Sequence, residues 1–292
     1  MTTVSVVTGA AGDMGAACAL AVASGSEMIL LTDIDEPRLE AVAERVERET
    51  SVKADAIPGD IGEGRFVQEL AGRVDSLGHL RALVHTAGLS PAMAGWREIL
   101  RVDLAAVQLL LDSFLPVVVP GSVAVCLASM SGHIGSFDHA MDALCEEPLA
   151  ADFGARFCTL AGDEPDSGAT YRLAKRAVVR CCERAALTWG ERGGRVVSVS
   201  PGLIDTGMGR LELEKNEIKK WMAAITPVGQ GRAGADVVLP GLTDDIAHVV
   251  AFLCSEGAAF ISGCDVRVDG GLVAAMNHQL SGEMTFGQGE EE

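Results

Sequence analysis

Aromatic side chains are scarce in this sequence. They make up 4% of the 292 residues, and Tyr171 is the one tyrosine. The core must therefore be built from aliphatic side chains and alanine, which suits strands that helices bury on both faces. Basic residues are also few, since 23 Lys and Arg stand against 41 Asp and Glu and give a formal net charge of −18. Nucleic acids and anionic membranes attract basic proteins, so this composition disfavours both and favours a small-molecule partner.

The eight cysteines form no C-x-x-C pair, and no histidine lies beside them at metal-ligand spacing. Metal sites and disulfide frameworks are therefore not expected. No apolar run reaches the length of about 18 residues that a transmembrane helix needs. The first residues lead directly into a strand pattern without the features of a signal peptide. We expect a protein of the reducing cytoplasm.

Short apolar runs rich in β-branched residues alternate along the chain with stretches of helical periodicity. This alternation predicts a Rossmann-type α/β fold with a doubly wound, parallel, seven-stranded sheet and helices on both faces. A single domain is expected over residues 1–279, followed by a frayed tail at 280–292. The predicted strands lie at residues 3–8, 27–32, 52–58, 80–85, 121–128, 194–200 and 264–268.

Two segments that carry bulky side chains interrupt the alternation. Residues 133–168 hold Phe137, Phe153 and Phe157, and part of this segment has the spacing of an amphipathic helix. It is interpreted either as a flap over a substrate or as a cover for the core. Residues 206–226 are expected to form a flexible loop that either packs on the core or covers a substrate. One helical face of this second segment carries Ile218, Trp221, Met222 and Ile225.

The first predicted strand runs into TGAAGDMG at residues 8–15, and an alanine-rich helical stretch follows at once. Glycines let the backbone turn sharply and approach a pyrophosphate, whose charge is stabilised by the free N–H groups of a helix N-terminus. A glycine triplet alone is a weak signal, but its position between a first strand and a first helix strengthens it. The turn therefore predicts a dinucleotide site.

Asp33 follows the second predicted strand, 18 residues beyond Gly15. A carboxylate at this point can accept hydrogen bonds from ribose hydroxyls and would repel a 2′-phosphate. The first basic residue after Asp33 is Arg38, so NAD is favoured over NADP as the cofactor. Alternatively, Asp33 only caps the following helix, a role that does not exclude the first.

Tyr171 and Lys175 are four residues apart in a predicted helix and therefore share one face of it. An ammonium group beside the phenol would lower a pKa of about 10 toward the range in which a general acid/base works. Ser129 and Pro201 follow the fifth and sixth predicted strands, at the end of the sheet where open α/β folds bind ligands.

These motifs together resemble the short-chain dehydrogenase/reductase family over nearly the whole chain. They occur in the order of that family, from the glycine turn to VRVDGG at residues 266–271. The resemblance implies hydride exchange between NAD and an alcohol or ketone, with Ser129 bonding to the substrate oxygen, Tyr171 handling the proton and Lys175 holding the nicotinamide ribose. It also implies cofactor contacts from Gly9, Asp13, Met14, Gly15, Asp33, Asp60, Ile61, Ala87, Gly88, Tyr171, Lys175, Pro201, Gly202, Ile204 and Thr206.

Three positions depart from the family pattern. Asp13 replaces the middle glycine of the turn, and His85 with Thr86 replaces an asparagine pair, so some bonds between the central strands must be made otherwise. Asp103 aligns with the asparagine that completes a catalytic tetrad. In the family that residue holds a relay water through its main-chain carbonyl, so Asp103 is a fourth catalytic candidate; alternatively, its side chain is a surface charge.

Ser129 and Tyr171 are 42 residues apart, whereas the family usually separates them by about a dozen, and the insertion at 133–168 accounts for the difference. The chain looks similar to bacterial 3α-hydroxysteroid dehydrogenase/carbonyl reductases, which carry an insertion at the same place. An aromatic flap beside the nicotinamide would suit a bulky apolar substrate such as a steroid or terpenoid. The resemblance also implies a homodimer or homotetramer, with the insertion blocking a common four-helix interface.

Two other functions remain open. The departures at Asp13, Thr86 and Asp103 fit a binding protein that keeps NAD for sensing or scaffolding without turnover. The glycine spacing is shared with nucleotide-sugar epimerases and dehydratases, which need a sizeable C-terminal portion for the nucleotide. The final predicted strand ends at residue 268, which disfavours the second alternative.

Overall fold

One parallel sheet organises the computed structural model, which describes residues 2–135, 138–229 and 239–286. Its seven strands lie in the order β3-β2-β1-β4-β5-β6-β7, which confirms the Rossmann-type fold class. Each predicted strand is present within a few residues of its expected bounds. The strands are β1 Thr2–Thr8, β2 Met28–Thr32, β3 Lys53–Ala56, β4 Gly78–His85, β5 Val123–Leu127, β6 Arg195–Pro201 and β7 Cys264–Val268.

Helices cover both faces of the sheet. A π-helical turn at Arg101–Ala105 joins α4 to α5, so that Trp96–Phe114 form one continuous helical run. Within the described ranges the helices are α1 Asp13–Ala23, α2 Glu36–Thr50, α3 Gly64–Leu77, α4 Trp96–Leu100, α5 Ala106–Phe114, α6 His139–Leu144, α7 Phe153–Ala161, α8 Ser167–Glu191, α9 Gly207–Lys215, α10 Glu217–Ile225, α11 Thr243–Leu253 and α12 Leu272–Phe286.

Alternate residues of the central strands enter two separate cores. On β1, Val7 packs with α1, α2 and α11, whereas Val6 packs on the other face with α3, α5 and α8. Both valines are fully buried. Successive strand side chains point to opposite faces, so a strand buried on both sides has to be apolar without interruption. This arrangement explains why the strand runs could be located in the sequence without strict alternation.

The insertion folds into α6 and α7 and packs against α4 and α8. Phe153 and Phe157 are 7% and 1% exposed, and the ring of Phe157 stacks on Trp96 at 5.6 Å between centroids. Phe137 lies outside the described residues. The interpretation as an aromatic flap is therefore wrong for Phe153 and Phe157, because both rings are buried in a hydrophobic core.

The segment at 206–226 is also helical rather than a loop, since it forms α9 and α10. Of its predicted apolar face, Met222 is buried, while Ile218 and Trp221 remain 63% and 43% exposed. At the C-terminus, α12 continues to Phe286, past the expected boundary at residue 280. No described helix has the length and apolar character to span a membrane.

Candidate active site

The glycine turn connects β1 to α1 in very little space. Gly9 has φ +69°, and a Cβ there would lie 2.4 Å from the backbone nitrogen of Ala87. A Cβ on Gly15 would lie 2.0 Å from the carbonyl oxygen of Gly9. No side chain caps the N-terminus of α1, so its first N–H groups are free to meet a ligand. This cradle of close backbone fits the diphosphate of a dinucleotide.

Asp33 is anchored to the same turn. Its carboxylate accepts hydrogen bonds from the backbone N–H of Ala11 and of Asp35, both at 3.1 Å. The cap of α2 is Asp35, whose side chain accepts from the N–H of Arg38. The alternative that Asp33 merely caps α2 is therefore wrong, and Asp33 stands at the carboxyl end of β2 where a ribose would lie.

Asp13 links the glycine turn to a distant part of the chain. Its carboxylate accepts a hydrogen bond of 2.7 Å from the N–H of Gly207, the first residue of α9. Arg38 approaches the same carboxylate at 3.6 Å. Asp13 thus bridges two walls of the cleft beside the free end of α1, while Met14 follows it in the first turn of α1.

Two predicted adenine contacts follow β3. Ile61 is buried, and the Asp60 carboxylate binds the Arg101 guanidinium at 2.9 Å and accepts the N–H of Gly62 at 2.8 Å. These bonds hold the side chain of Asp60 against the helical run of α4.

Ser129, Tyr171 and Lys175 converge despite their distance in sequence. The Ser129 side chain lies close enough to the Tyr171 hydroxyl to lower the pKa of that phenol. The Nζ of Lys175 lies 5.7 Å from the centre of the Tyr171 ring and donates to the carbonyl oxygen of Leu127 at 3.4 Å. The three residues therefore lie together, just beyond the C-terminal end of β5.

Asp103 is the fourth member of this group, and it enters through its side chain. Its Oδ1 lies 3.0 Å from Lys175 Nζ and accepts the N–H of Leu89 at 3.1 Å. Asp103 is 0% exposed, so the interpretation as a surface charge is wrong. The approach is possible because Gly88 has no side chain: a Cβ there would lie 2.7 Å from Asp103 Oδ1.

The electrostatics of the cleft differ from the expectation for Tyr171. Burial and the negative charges of Asp103 and Glu212 raise the Tyr171 pKa above its ordinary value, and the hydrogen bond with Ser129 lowers it. Burial also raises the pKa of Asp103, against the opposing effect of Lys175. The prediction that Lys175 holds the tyrosine pKa low is thus not met, because burial and the two carboxylates raise it.

The helices α9 and α10 form a lid over this group. The lid begins at Thr206, whose hydroxyl caps α9 by accepting the N–H of Gly209 at 3.0 Å. Lys215 at the end of α9 reaches the carbonyl oxygen of Ala92 at 3.5 Å, on the loop after β4. The lid therefore spans the cleft from the end of β6 to the β4–α4 loop.

The base of the lid is held by the motif that follows β6. A Cβ on Gly202 would lie 2.6 Å from Asp269 Cα, so this turn packs tightly against the end of β7. Ile204 is buried and forms an isolated parallel bridge with Gly241. Pro201 ends β6 and is buried. These predicted cofactor contacts lie together where the lid begins. The hydrogen bond between Gly207 and Asp13 holds this end of the lid close to the glycine turn.

The missing asparagine pair is replaced by bonds to β1. Thr86 donates its hydroxyl to the carbonyl oxygen of Thr8 at 2.7 Å, and His85 Nδ1 bonds with the Thr8 hydroxyl at 2.7 Å. Burial, with a smaller effect of Lys175, lowers the His85 pKa to about 3. The imidazole is therefore neutral and serves as a tie between the central strands.

Sequence reasoning missed Glu212, Lys215 and Arg38 as parts of the site. Each lies on a helix without a local motif, and none had a partner that spacing could reveal. Their positions follow from where the lid and α2 pack, which is a tertiary property.

Comparison with known proteins places the chain in one family. Residues 3–141 match the family described as short chain dehydrogenase, and residues 161–273 match the related family described as enoyl-(acyl carrier protein) reductase. The short-chain dehydrogenase/reductase bsc3 of Alternaria brassicicola is 28% identical over 280 residues, covering 93% of this chain and 96% of that protein. The 3-alpha-hydroxysteroid dehydrogenase/carbonyl reductase of Comamonas testosteroni is 28% identical over 196 residues, covering 66% of this chain and 73% of that protein.

A solved structure shares the fold. The 7α-hydroxysteroid dehydrogenase complexed with NADH and 7-oxo glycochenodeoxycholic acid has a TM-score of 0.71 and 22% identity, covering 92% of this chain and 93% of that chain. The two family matches together span most of the chain and include both the glycine turn and the Tyr171 helix. The chain belongs to the short-chain dehydrogenase/reductase family of oxidoreductases.

Proposed function

We propose that this protein interconverts a secondary alcohol and a ketone with NAD as the hydride carrier. The observation that carries the proposal is the grouping of Ser129, Tyr171 and Lys175 at the edge of the sheet that also holds the glycine turn. A purely binding protein has no physical need for a tyrosine hydroxyl placed beside both a serine and an ammonium group. NAD, when bound, accepts or supplies the hydride.

In this proposal each side chain has a separate task. Ser129 donates a hydrogen bond to the substrate oxygen and fixes its distance from the tyrosine. Tyr171 gives its proton to that oxygen in reduction and takes it back in oxidation. Lys175 holds the nicotinamide ribose with a donor that Asp103 and Leu127 leave free, since an ammonium group has three N–H donors.

We propose NAD rather than NADP because of Asp33. Its carboxylate is fixed at the end of β2 by two backbone donors and would repel a 2′-phosphate. Arg38 is the nearest helical cation, and its approach to Asp13 draws it toward the glycine turn. Replacing Asp33 with alanine is expected to reduce discrimination against NADP, which parallel titrations with both cofactors would measure.

We propose a bulky apolar substrate because of the lid, since the insertion buries Phe153 and Phe157 in a core. The lid packs on a buried cluster rich in methionine, which includes Met130 next to Ser129, Met222 of α10 itself and Met276 of α12. Methionine is unbranched and adapts to apolar shapes. The names of the hydroxysteroid dehydrogenases similar to this chain also favour a steroid-sized substrate, with terpenoid alcohols as the related class.

The first experiment follows NADH absorbance with hydroxysteroids, terpene alcohols and simple secondary alcohols, using NAD and NADP separately. Reduction of NAD by a bulky alcohol is the expected result. The Tyr171→Phe variant should lose activity by a factor of about 100 or more, because no other group can exchange the proton. Tight NADH binding without turnover of any alcohol or ketone would contradict the proposal and indicate a sensor.

We also propose a cytoplasmic homo-oligomer, a dimer or a tetramer. The eight cysteines are free thiols, which suits a reducing compartment. The α6–α7 insertion packs against α4 and α8, so it covers a helical face that could otherwise pack against another copy. Light scattering of wild type would report the number of subunits, and an insertion-deleted variant would show whether this face then assembles.

A further inference from the structure

Asp103 forms an unusual contact for a carboxylate. It is fully buried, pairs with Lys175 at 3.0 Å, and sits in the π-helical turn between α4 and α5. Such turns are rare and frequently occur at functional sites. Its second oxygen, Oδ2, has no hydrogen-bond partner among the described residues. Burying a carboxylate with an oxygen that accepts no hydrogen bond costs folding free energy. The position of Asp103 beside Lys175 therefore indicates a role other than stability.

The charges that face Tyr171 come from each element packed around it. Lys175 shares α8 with the tyrosine, Asp103 approaches from the π-helical turn, and Glu212 approaches from the lid. Glu212 is itself paired with Lys219 at 3.2 Å. His85 on β4 is neutral, and Ser129 after β5 carries no charge. Asp103 is therefore the one described carboxylate that directly compensates the Lys175 ammonium.

We propose that the Asp103 carboxylate is a positioning residue that, through its ion pair with Lys175, keeps the Tyr171 hydroxyl protonated at neutral pH and so sets the pH range of the reaction. This inference rests on the proposed function. A lone ammonium would favour phenolate, whereas a neutral pair presents only a dipole to the ring. Asp103 and Glu212 both raise the Tyr171 pKa, which is the direction that this role of Asp103 requires.

The consequence for the reaction follows from its proton balance. In reduction the ketone carbon gains a hydride from NADH and its oxygen gains the Tyr171 proton, so that C=O becomes CH–OH. In oxidation the alcohol carbon loses a hydride to NAD and its hydroxyl proton goes to the Tyr171 phenolate. A protonated tyrosine at neutral pH supports reduction at that pH and moves oxidation into the alkaline range.

The test uses the fact that Tyr171 is the one tyrosine of the chain. Tyrosinate absorbance, titrated against pH with Tyr171→Phe as the baseline, therefore reports this residue alone. Asp103→Asn keeps the size and an acceptor but removes the charge. The matched control is Asp112→Asn, a change of the same kind on α5, where the carboxylate accepts from Gln108 at 2.8 Å.

Asp103→Asn is expected to lower the tyrosinate midpoint by about one pH unit or more, and to move the rise of alcohol oxidation to lower pH by the same amount. Asp112→Asn should change neither. Asp103→Ser, also uncharged, repeats the test if the asparagine variant does not fold. An unchanged midpoint in a folded, uncharged variant overturns the inference whatever the activity. A lowered midpoint without any turnover supports the role of Asp103 and contradicts the proposed function instead.

Discussion

The insertion and the lid both carry large apolar side chains at helical spacing, but the insertion buries these side chains and the lid leaves some of them exposed. Both interrupt the strand and helix alternation, and both fold into two short helices that carry large apolar side chains. The insertion buries its rings, with Phe157 stacked on Trp96, whereas the lid leaves Ile218 and Trp221 exposed. An amphipathic pattern therefore identifies a helix but does not identify what its apolar face will meet. Exposed apolar surface above a catalytic group indicates a binding role.

The largest expected effect tests whether the insertion forms a packed core. Phe157→Ala should lower the free energy of unfolding by about 3–5 kcal/mol, because it leaves a cavity in a packed core. Leu160→Ala changes an exposed leucine of the same helix and should stay within about 0.5 kcal/mol of wild type. Urea denaturation measures both. Equal effects of the two changes would mean that the insertion does not form a core.

The second prediction tests the lid. Trp221→Ala should lower kcat/KM for a bulky alcohol about tenfold, because a large apolar contact with the substrate is lost. Stability should remain near the wild-type value, since the indole is half exposed. Activity on a small secondary alcohol, which does not reach the lid, serves as the internal control. A loss that is the same for small and bulky alcohols would exclude a lid contact with substrate.

A third and smaller effect concerns how the insertion is fastened. Arg176 on α8 binds Asp142 on α6 through two hydrogen bonds of 2.9 Å and holds the pKa of that carboxyl below its ordinary value. The stabilisation is therefore complete above the unfolded-state pKa and is lost as pH falls through the folded-state pKa. Asp142→Asn should cost about 1 kcal/mol at neutral pH.

The measurement is the unfolding free energy of wild type and Asp142→Asn from neutral to strongly acidic pH. The difference between the two proteins should shrink only as the pH falls below the ordinary pKa of an aspartate carboxyl, about 3.9. Glu147→Gln, an exposed carboxylate between α6 and α7, provides the comparison. A difference that persists at the lowest pH would show that the ion pair is not its source.

The smallest effect concerns the bond between the lid and the glycine turn. Asp13→Asn keeps an acceptor for the Gly207 N–H but removes a negative charge beside the free end of α1. NADH should bind about threefold more tightly, because repulsion of its diphosphate is reduced. A fluorescence titration measures this, with Glu40→Gln on the exposed face of α2 as the control. Unchanged or weaker binding in Asp13→Asn would contradict the expected repulsion.

Much of the fold and part of the site could be predicted from the sequence. The strands can be located because burial on both faces demands unbroken apolar runs, and Ser129 can be placed at the ligand-binding edge because it follows a parallel strand. The grouping of Ser129 with Tyr171, which lies on α8, follows only from the resemblance to the family. The Asp103–Lys175 pair could not be predicted, because it depends on a π-helical turn and on the space left by Gly88. Burial and the carboxylates of Asp103 and Glu212 raise the Tyr171 pKa, and no local sequence pattern shows this effect.

The strand order has a consequence for how the chain assembles during synthesis. Once β1, β2 and β3 have left the ribosome, β4 must add to the opposite edge of β1, and each later strand then adds beside the strand made just before it. Growth from one edge keeps the unfinished sheet compact, but it exposes the unpaired backbone of β4, β5 and β6 in turn. Of these three strands β5 waits longest for its partner, because the insertion and α8 lie between it and β6.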